Sequence, residues 1–101
     1  NELIELKKER LNKFKKSSFL GKDRISEEGY EISVKNNSSK SVDVTLVERV
    51  PVSADEAVKV EIKGFDKKDI SKDGKVELKF SLAPKEEFKK EYSYKITKPK
   101  I

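Results

Sequence analysis

Four acidic side chains follow one another in a polar stretch, and oxygen ligands of this kind could build a calcium site. They are Asp66, Asp69, Asp73 and Glu77. Calcium takes roughly six to eight oxygen ligands, and an EF-hand supplies them at fixed positions that this spacing does not reproduce. Lysines at positions 67, 68, 72 and 75 would also compete with a cation. The sequence therefore predicts a solvated loop here, without a metal.

Ser53, beside Asp55 and Glu56, is a candidate nucleophile next to carboxylates. A serine hydroxyl needs a general base for activation, and the chain contains no His; Lys59 is the nearby alternative. A Ser and an Asp two residues apart are also typical of a turn, in which their side chains bond to the backbone. We interpret these residues as turn formers.

Asp23, Glu27 and Glu28 are the remaining candidates for acid–base chemistry. A glycosidase would need two carboxyl groups roughly 5 to 10 Å apart across a pocket. Nothing in the spacing of these residues favours that arrangement, and the chain has no Cys to act as a nucleophile or metal ligand. We predict a domain that is not an enzyme and uses no cofactor.

The charge of the chain is high but mixed in sign. Charged residues make up 43% and hydrophobic residues 34%, and 24 basic against 19 acidic residues leave a net charge of +5. Nucleic-acid readers usually interleave Arg and stacking aromatic residues with their positive charge. Here Arg occurs at positions 10, 24 and 49 only. The composition predicts a lysine-rich solvated surface and no specific nucleic-acid partner.

No apolar stretch approaches the ~18 residues of a membrane helix, and no signal peptide is visible. The chain starts at Asn1 and has no Met, which indicates a piece of a longer protein. Because the chain has no cysteines, its sequence does not indicate whether the protein resides in an oxidising or a reducing compartment.

Apolar and polar residues alternate with the period of half-buried strands over most of the chain. The alternating runs cover residues 30–35, 42–46, 58–62, 76–82 and 88–96. Turn formers at 36–40 predict a hairpin between the first two runs, and Asp73-Gly74 predicts a tight turn. Tyr92 and Tyr94 share the parity of their apolar neighbours, so we predict core positions for them rather than a stacking platform.

The stretch "LVERVPVSADE" (Leu46 to Glu56) poses a choice between a helix start and a corner. Pro51 cannot donate within a ladder, and Ser53 to Glu56 matches a capping box. The strand pattern that follows favours a corner, in which the chain leaves one sheet for another. Glu48 has the inward parity of its apolar neighbours, which is costly without a partner; a bulge before Pro51 would rotate it outward.

Residues 3–14 are ambiguous. Leu3, Ile4, Leu6, Leu11 and Phe14 fall on one helical face, and read as a strand they break parity between Leu6 and Leu11. The pattern alone favours a helix.

Three segments occur in a characteristic order: "KSSFLGKDR" (Lys16 to Arg24), "YEISVKNN" (Tyr30 to Asn37) and "VERVPVS" (Val47 to Ser53). In this order they resemble the C-terminal domain of mucoidy inhibitor A-like proteins, a domain of unknown function. Residues 72–100 resemble its last hairpin, with two departures. Lys85 stands where the family's turn usually has Gly, and a Trp common in the penultimate strand is absent, its space left to Leu78 or Phe80. The resemblance covers nearly the whole chain, and its motifs are structural.

This resemblance implies an immunoglobulin-like β-sandwich that follows a small N-terminal domain and a helical, coiled-coil middle. It also implies a place in the bacterial cell envelope or outside the cell. Finally, it implies that residues 3–14 are a first strand, against the periodicity. We adopt the strand, with a partly helical segment as the alternative.

Pattern and resemblance together predict an all-β, antiparallel, immunoglobulin-like sandwich of about seven strands, as one domain over residues 1–101. We expect a non-enzymatic structural or protein-interaction module of a cell-envelope protein, bound to a protein partner or to the parent's own helical middle; its oligomeric state stays open. The candidate contact residues are Arg49, Pro51, Ser53, Val58, Val60 and Ile62. The alternative is a binding module for an anionic polymer, such as an acidic polysaccharide or nucleic acid, with lysines gathered on one face.

Overall fold

The computed structural model describes residues 3–14, 16–21 and 23–99, and strands make up most of them. In chain order they are β1 (Ile4–Arg10), β2 (Lys16–Leu20), β3 (Asp23–Asn36), β4 (Val42–Arg49), β5 (Lys59–Lys63), β6 (Lys75–Leu82) and β7 (Glu87–Pro99). Short 3₁₀ turns cover Asn12–Phe14 and Lys67–Asp69. Within the described residues, no helix has the length and apolar character needed to cross a membrane. The all-β prediction is confirmed; positions 1, 2, 15, 22, 100 and 101 of the predicted domain lie outside the described residues.

The strands form two antiparallel sheets. The first has the order β1-β3-β7-β5, with β2 also paired to β3, and the second consists of β4 and β6. β3 and β7 contain 14 and 13 residues, whereas β4 and β6 contain 8 each. At a rise of about 3.3 Å per residue, the first sheet is therefore roughly 20 Å longer than the second. The molecule is accordingly elongated, with a long dimension of 56 Å.

The core lies between the facing surfaces of the two sheets. Its buried residues are Ile32, Val34, Leu46, Val50, Val76, Leu82 and Tyr92. Nearly all belong to the alternating runs, so the strands predicted from those runs are confirmed. Phe80 of β6 stacks on Phe88 of β7 at a ring-centroid distance of 4.2 Å and joins the sheets. Along β7 the residues packed against the core reach only to Tyr94, so Ile96 lies beyond it.

The hairpin predicted between residues 30–35 and 42–46 is wrong, because the chain changes sheets between β3 and β4. The reason is Asn36, whose side chain is fully buried. Its amide donates to three backbone oxygens, at 2.7 Å (Lys40), 3.1 Å (Leu82) and 3.2 Å (Ala83). Its oxygen accepts a bond from the backbone amide of Ser38 at 2.9 Å. These bonds hold the crossing against the β6–β7 turn and direct β4 into the second sheet.

The predicted corner between β4 and β5 is confirmed, because the chain leaves the second sheet after β4 and joins the first at β5. The hydroxyl of Ser53 donates to the carbonyl oxygen of Asp55 at 2.8 Å. The carboxylate of Asp55 in turn accepts a bond from the amide of Ala57 at 2.9 Å. Residues 51–58 contain turns and no helix, so the capping-box match is accidental.

The N-terminal segment is a strand, as the resemblance implies, and the helical interpretation is wrong. β1 pairs with β3 along its whole length, from Ile4 opposite Asn36 to Arg10 opposite Tyr30. The parity break between Leu6 and Leu11 is absorbed by the end of the strand and the 3₁₀ turn that follows it. Most residues of β1 are exposed, and Leu6 is 63% exposed, so the apolar spacing of this edge strand does not mark a buried face and could not distinguish a strand from a helix.

Gly74 and Lys85 are two of the described turn residues that adopt the left-handed backbone region. Gly74, in the predicted Asp73-Gly74 turn, has a φ of 83°, and a Cβ there would lie 2.2 Å from the carbonyl oxygen of Val50. Lys85 has a φ of 67°, at the position where the family resembled usually has Gly. Its amide donates to the carbonyl oxygen of Asn36 at 2.7 Å, which ties this turn to the β3–β4 crossing.

Candidate interaction site

β5 forms one edge of the first sheet. It pairs with β7, from Lys59 opposite Thr97 to Lys63 opposite Ser93, and with no other strand of the described residues. Val60 and Ile62 are half-buried and point to the inner face, the side of the sheet on which the second sheet lies; Lys59, Glu61 and Lys63 are exposed on the outer face. The free side of β5 therefore presents backbone donors and acceptors to which another strand can pair.

A cleft of about 260 Å³ lies beside β5. Its lining consists of Val60, Glu61, Ile62, Phe65, Lys67 and Ile70. Phe65 packs on Tyr92 at a ring-centroid distance of 4.8 Å, which fixes the β5–β6 connection to the core. The cleft is thus a largely apolar recess next to an unpaired strand edge, an arrangement suited to binding an extended segment with apolar side chains.

The structure places three of the six predicted contact residues in or next to β5 and the other three elsewhere. Val60 and Ile62 line the cleft, and Val58 is half-buried just before β5. The other three do not line it: Pro51 is half-buried in the corner, Ser53 belongs to the exposed turn, and Arg49 lies at the end of β4.

Arg49 forms an exposed ion pair with Asp73, with 3.7 Å between the charged atoms. The hydroxyl of Ser71 bonds to the same carboxylate and is the main cause that lowers the pKa of Asp73; Arg49 contributes to the same direction. The position of Arg49 is thus explained by a local contact between the β4 end and the β5–β6 connection.

Glu48, whose inward parity conflicted with its charge, points between the sheets. Its side chain is 15% exposed, accepts a hydrogen bond from the hydroxyl of Tyr92 at 3.0 Å and pairs with the ammonium group of Lys8. The expected outward rotation is therefore wrong. The cost of burying the carboxylate is offset by partners on β7 and β1.

Tyr30, Tyr92 and Tyr94 form a row of rings on the inner face, with centroids 5.6 and 6.4 Å from that of Tyr30. The hydroxyls of Tyr94 and Tyr30 donate to the carboxylate of Glu28 at 2.7 and 3.0 Å. Burial, followed by the bond to Glu48, raises the pKa of Tyr92, and burial with the bond to Glu28 raises that of Tyr94. Tyr92 is 2% exposed, so it belongs to the core as predicted, and Tyr94 is half-buried.

The acidic residues considered for catalysis do not converge. Glu27 and Glu28 are adjacent on β3 and point to opposite faces of the sheet. Glu28 bonds to the tyrosines, whereas Glu27 lines a hollow of about 270 Å³ on the outer face. Across the described ranges, no cluster of acidic side chains could hold a metal ion.

Ser93, a small residue of β7, lies in the lining of the outer hollow between the longer side chains around it. The charged lining of this hollow is mixed: Lys13, Lys63 and Lys95 with Glu27 and Glu61. Lys95 lies opposite Glu27 on one side and opposite Glu61 on the other. This alternation gives the hollow no dominant sign of charge and hence no preference for a simple ion.

The model of one protein family, described as Domain of unknown function (DUF4139), matches residues 1–100. The chain belongs to the DUF4139 family. Comparison with curated proteins and with solved structures gave no match. Every strand, the β5 edge and its cleft lie within the matched DUF4139 region.

Sequence reasoning missed three residues that shape this DUF4139 domain. Phe65 and Ile70 line the cleft, and their apolar side chains within the polar 64–75 stretch were the available signal. Lys8 gave no signal, because its role depends on the contact between β1 and β4, two strands that belong to different sheets.

Proposed function

We propose that this DUF4139 domain is a non-enzymatic protein-interaction module of a bacterial cell-envelope protein of the mucoidy inhibitor A-like family. The observation that carries the proposal is the unpaired edge of β5 beside the apolar cleft. When an extended segment joins a sheet edge, main-chain hydrogen bonds supply affinity, and recesses for alternate side chains supply specificity. The envelope location rests on the resemblance of the three quoted segments.

An immunoglobulin-like sandwich is the arrangement we propose for the strands. Antiparallel strands in two sheets, with a core between them, support it. The sheet changes at β3–β4 and β4–β5 are of the kind that such sandwiches use.

The charge arrangement favours a protein partner over the alternative, an anionic polymer. A polymer site would gather lysines on one face and lose affinity steeply with salt. On the outer face of the first sheet, lysines and glutamates instead alternate across the strands, as at Glu27, Lys95 and Glu61.

Lysine-directed crosslinking of the parent protein in intact cells tests this function, with mass spectrometry to locate the links. We expect Lys59 and Lys63 to link reproducibly to one segment of a second protein; links to the parent's helical middle would identify a contact without strand addition, because a helix cannot pair with the β5 edge. Val60→Asp should remove those links, since the residue lies beside the cleft but outside the core. Val47→Asp, at an exposed position of the second sheet, is the matched control. Links spread evenly over all surface lysines, and unchanged by Val60→Asp, would contradict the proposal.

A further inference from the structure

We infer that β5 recognises a partner segment of one chemistry: an extended strand that is acidic, basic and acidic at alternate positions on one face and apolar on the other. The inference rests on the proposed function and adds the character of the partner. It follows from the charges, the apolar face and the accessibility of β5.

The outer face of β5 carries Lys59, Glu61 and Lys63 in a row. Among the described side chains, none forms an ion pair with any of these three. A strand added at the free edge would place its own outer side chains directly opposite, about 5 Å away. Opposite charges at such positions stabilise the pairing and like charges destabilise it. The row therefore favours an acidic, basic and acidic sequence.

The inner face of β5 carries Val60 and Ile62, which line the cleft together with Phe65 and Ile70. The inner side chains of an added strand would lie beside Val60 and Ile62 and enter this recess. Burial of apolar surface there would stabilise the complex, so the partner's inner positions are apolar.

β6 repeats the same order of side chains but is not equally available. Residues 59–63 read KVEIK and residues 75–79 read KVELK. In β6 the charges pair with one another, at 3.6 Å between Lys75 and Glu77 and at 3.7 Å between Lys79 and Glu77.

The edge of β6 is also occupied at this point by the β5–β6 connection. Ile70 forms a bridge to Val76, and the amide of Ser71 donates to the carbonyl oxygen of Lys75 at 2.9 Å. The β6 edge is thus occupied beside Lys75 and Val76, whereas no such contact covers the β5 edge within the described residues.

β1, at the opposite side of the first sheet, is protected by inward-pointing charges. Lys8 and Arg10 occupy inner-face positions, opposite Ile32 and Tyr30 of β3. Both cations lie over the Tyr30 ring, at 4.6 and 5.9 Å from its centroid. Charges on the inner face of an edge strand oppose the addition of another strand, and β5 has none there.

A second copy of β5 is a poor partner. In full antiparallel register Lys59 would lie opposite Lys63 of the other copy, and Glu61 opposite Glu61. A full parallel register would likewise bring identical charges together. Like charges at every outer position destabilise both full registers, so a partner of different sequence is favoured for pairing along the whole row.

An NMR titration of the isotope-labelled chain with two synthetic peptides tests the inference. One peptide is centred on Glu-Val-Lys-Val-Glu, and the other on the inverted Lys-Val-Glu-Val-Lys. We expect backbone shifts at residues 59–63, and about tenfold tighter binding of the first peptide from the three cross-strand charge pairs.

Charge inversion in the protein supplies the decisive comparison. The variant Lys59→Glu/Glu61→Lys/Lys63→Glu should exchange the peptide preference. The matched variant Lys75→Glu/Glu77→Lys/Lys79→Glu keeps opposite charges along β6 and should leave the preference unchanged.

Each other outcome overturns the inference in a recognisable way. Equal binding of both peptides at β5 leaves the proposed interaction function standing but removes charge complementarity. Concentration-dependent self-association through β5, without peptide binding, identifies a second copy as the occupant. No shift at β5 with either peptide overturns the inference, and if crosslinks in cells also avoid Lys59 and Lys63, the proposed function fails with it.

Discussion

The hydroxyl of Tyr92 on β7 donates a hydrogen bond of 3.0 Å to the carboxylate of Glu48 on β4, across the space between the two sheets. The same carboxylate pairs with Lys8 of β1. Three strands from both sheets thus meet at one half-buried carboxylate. Apolar packing between the sheets is not directional and would tolerate a shift of one sheet against the other. This hydrogen bond is directional, so it specifies how the sheets are aligned.

Tyr92→Phe should lower the free energy of unfolding by about 2 kcal/mol, because the half-buried carboxylate of Glu48 loses one hydrogen bond. Urea denaturation of the two proteins measures the difference. Tyr94→Phe is the matched control: Glu28 keeps Tyr30 and Arg10 as partners, so the loss should be smaller. An equal decrease in the free energy of unfolding in the two variants would show that the bond to Glu48 stabilises the fold no more than the bond to Glu28.

Stability should fall as the pH rises above about 10, the ordinary pKa of tyrosine. The pKa values of Tyr92 and Tyr94 are raised in the folded protein, chiefly by burial. Folded tyrosines therefore keep their protons where unfolded ones lose them, and ionisation favours the unfolded state. Their contribution is fully present below pH 10 and is lost as the pH rises toward the folded pKa. Lysines also lose their protons in this pH range, so the test compares two proteins. Denaturation midpoints of the wild type and of Tyr92→Phe/Tyr94→Phe are measured at increasing pH, and the midpoint of the variant should fall less steeply.

Lys85→Gly should stabilise the domain by about 1 kcal/mol, because a side chain in the left-handed region is strained and glycine is not. The ammonium group of Lys85 also donates to the carbonyl oxygen of Asn37 at 2.6 Å, an exposed contact of small value. Lys85→Ala loses that contact but keeps the strain, so it should be neutral or destabilising. Thermal denaturation distinguishes the two, and a destabilising Lys85→Gly would refute the strain argument.

Gly74→Ala should destabilise the domain by roughly 3 kcal/mol or more, since strain from the positive φ adds to a backbone clash with Val50. Gly21→Ala provides the comparison: its φ is also positive, at 61°, but a Cβ there meets nothing within 4 Å. That variant should lose only about 1 kcal/mol from the backbone conformation. If chemical denaturation shows the same decrease in unfolding free energy for both variants, the backbone around Val50 moves away from the new Cβ at little energetic cost.

The strands were predictable where burial follows the period of the backbone. Val76 and Leu82 are buried and their neighbours exposed, which the alternation over 76–82 indicates without further information. The corner after Pro51 was also accessible, because missing donors and turn-forming side chains act locally. For the interaction site, the same local signals identified Val60 and Ile62 but not Phe65, whose role depends on packing against Tyr92.

Pairing between strands was not predictable, because it depends on contacts between distant residues. Asn36 looks like an ordinary turn residue in the sequence, yet its bonds to residues 82 and 83 send β4 into the second sheet. The segments with strict alternation could be recognised as strands from the sequence, since backbone periodicity and turn chemistry are local properties. β1 could not, because its residues are mostly exposed and their apolar spacing follows no buried face. The structure adds that KVEIK lies at an edge that no other described strand covers, while Ile70 and Ser71 occupy the β6 edge at the start of KVELK. The sequence could not show this, because the neighbours of a strand are set by packing of the whole chain.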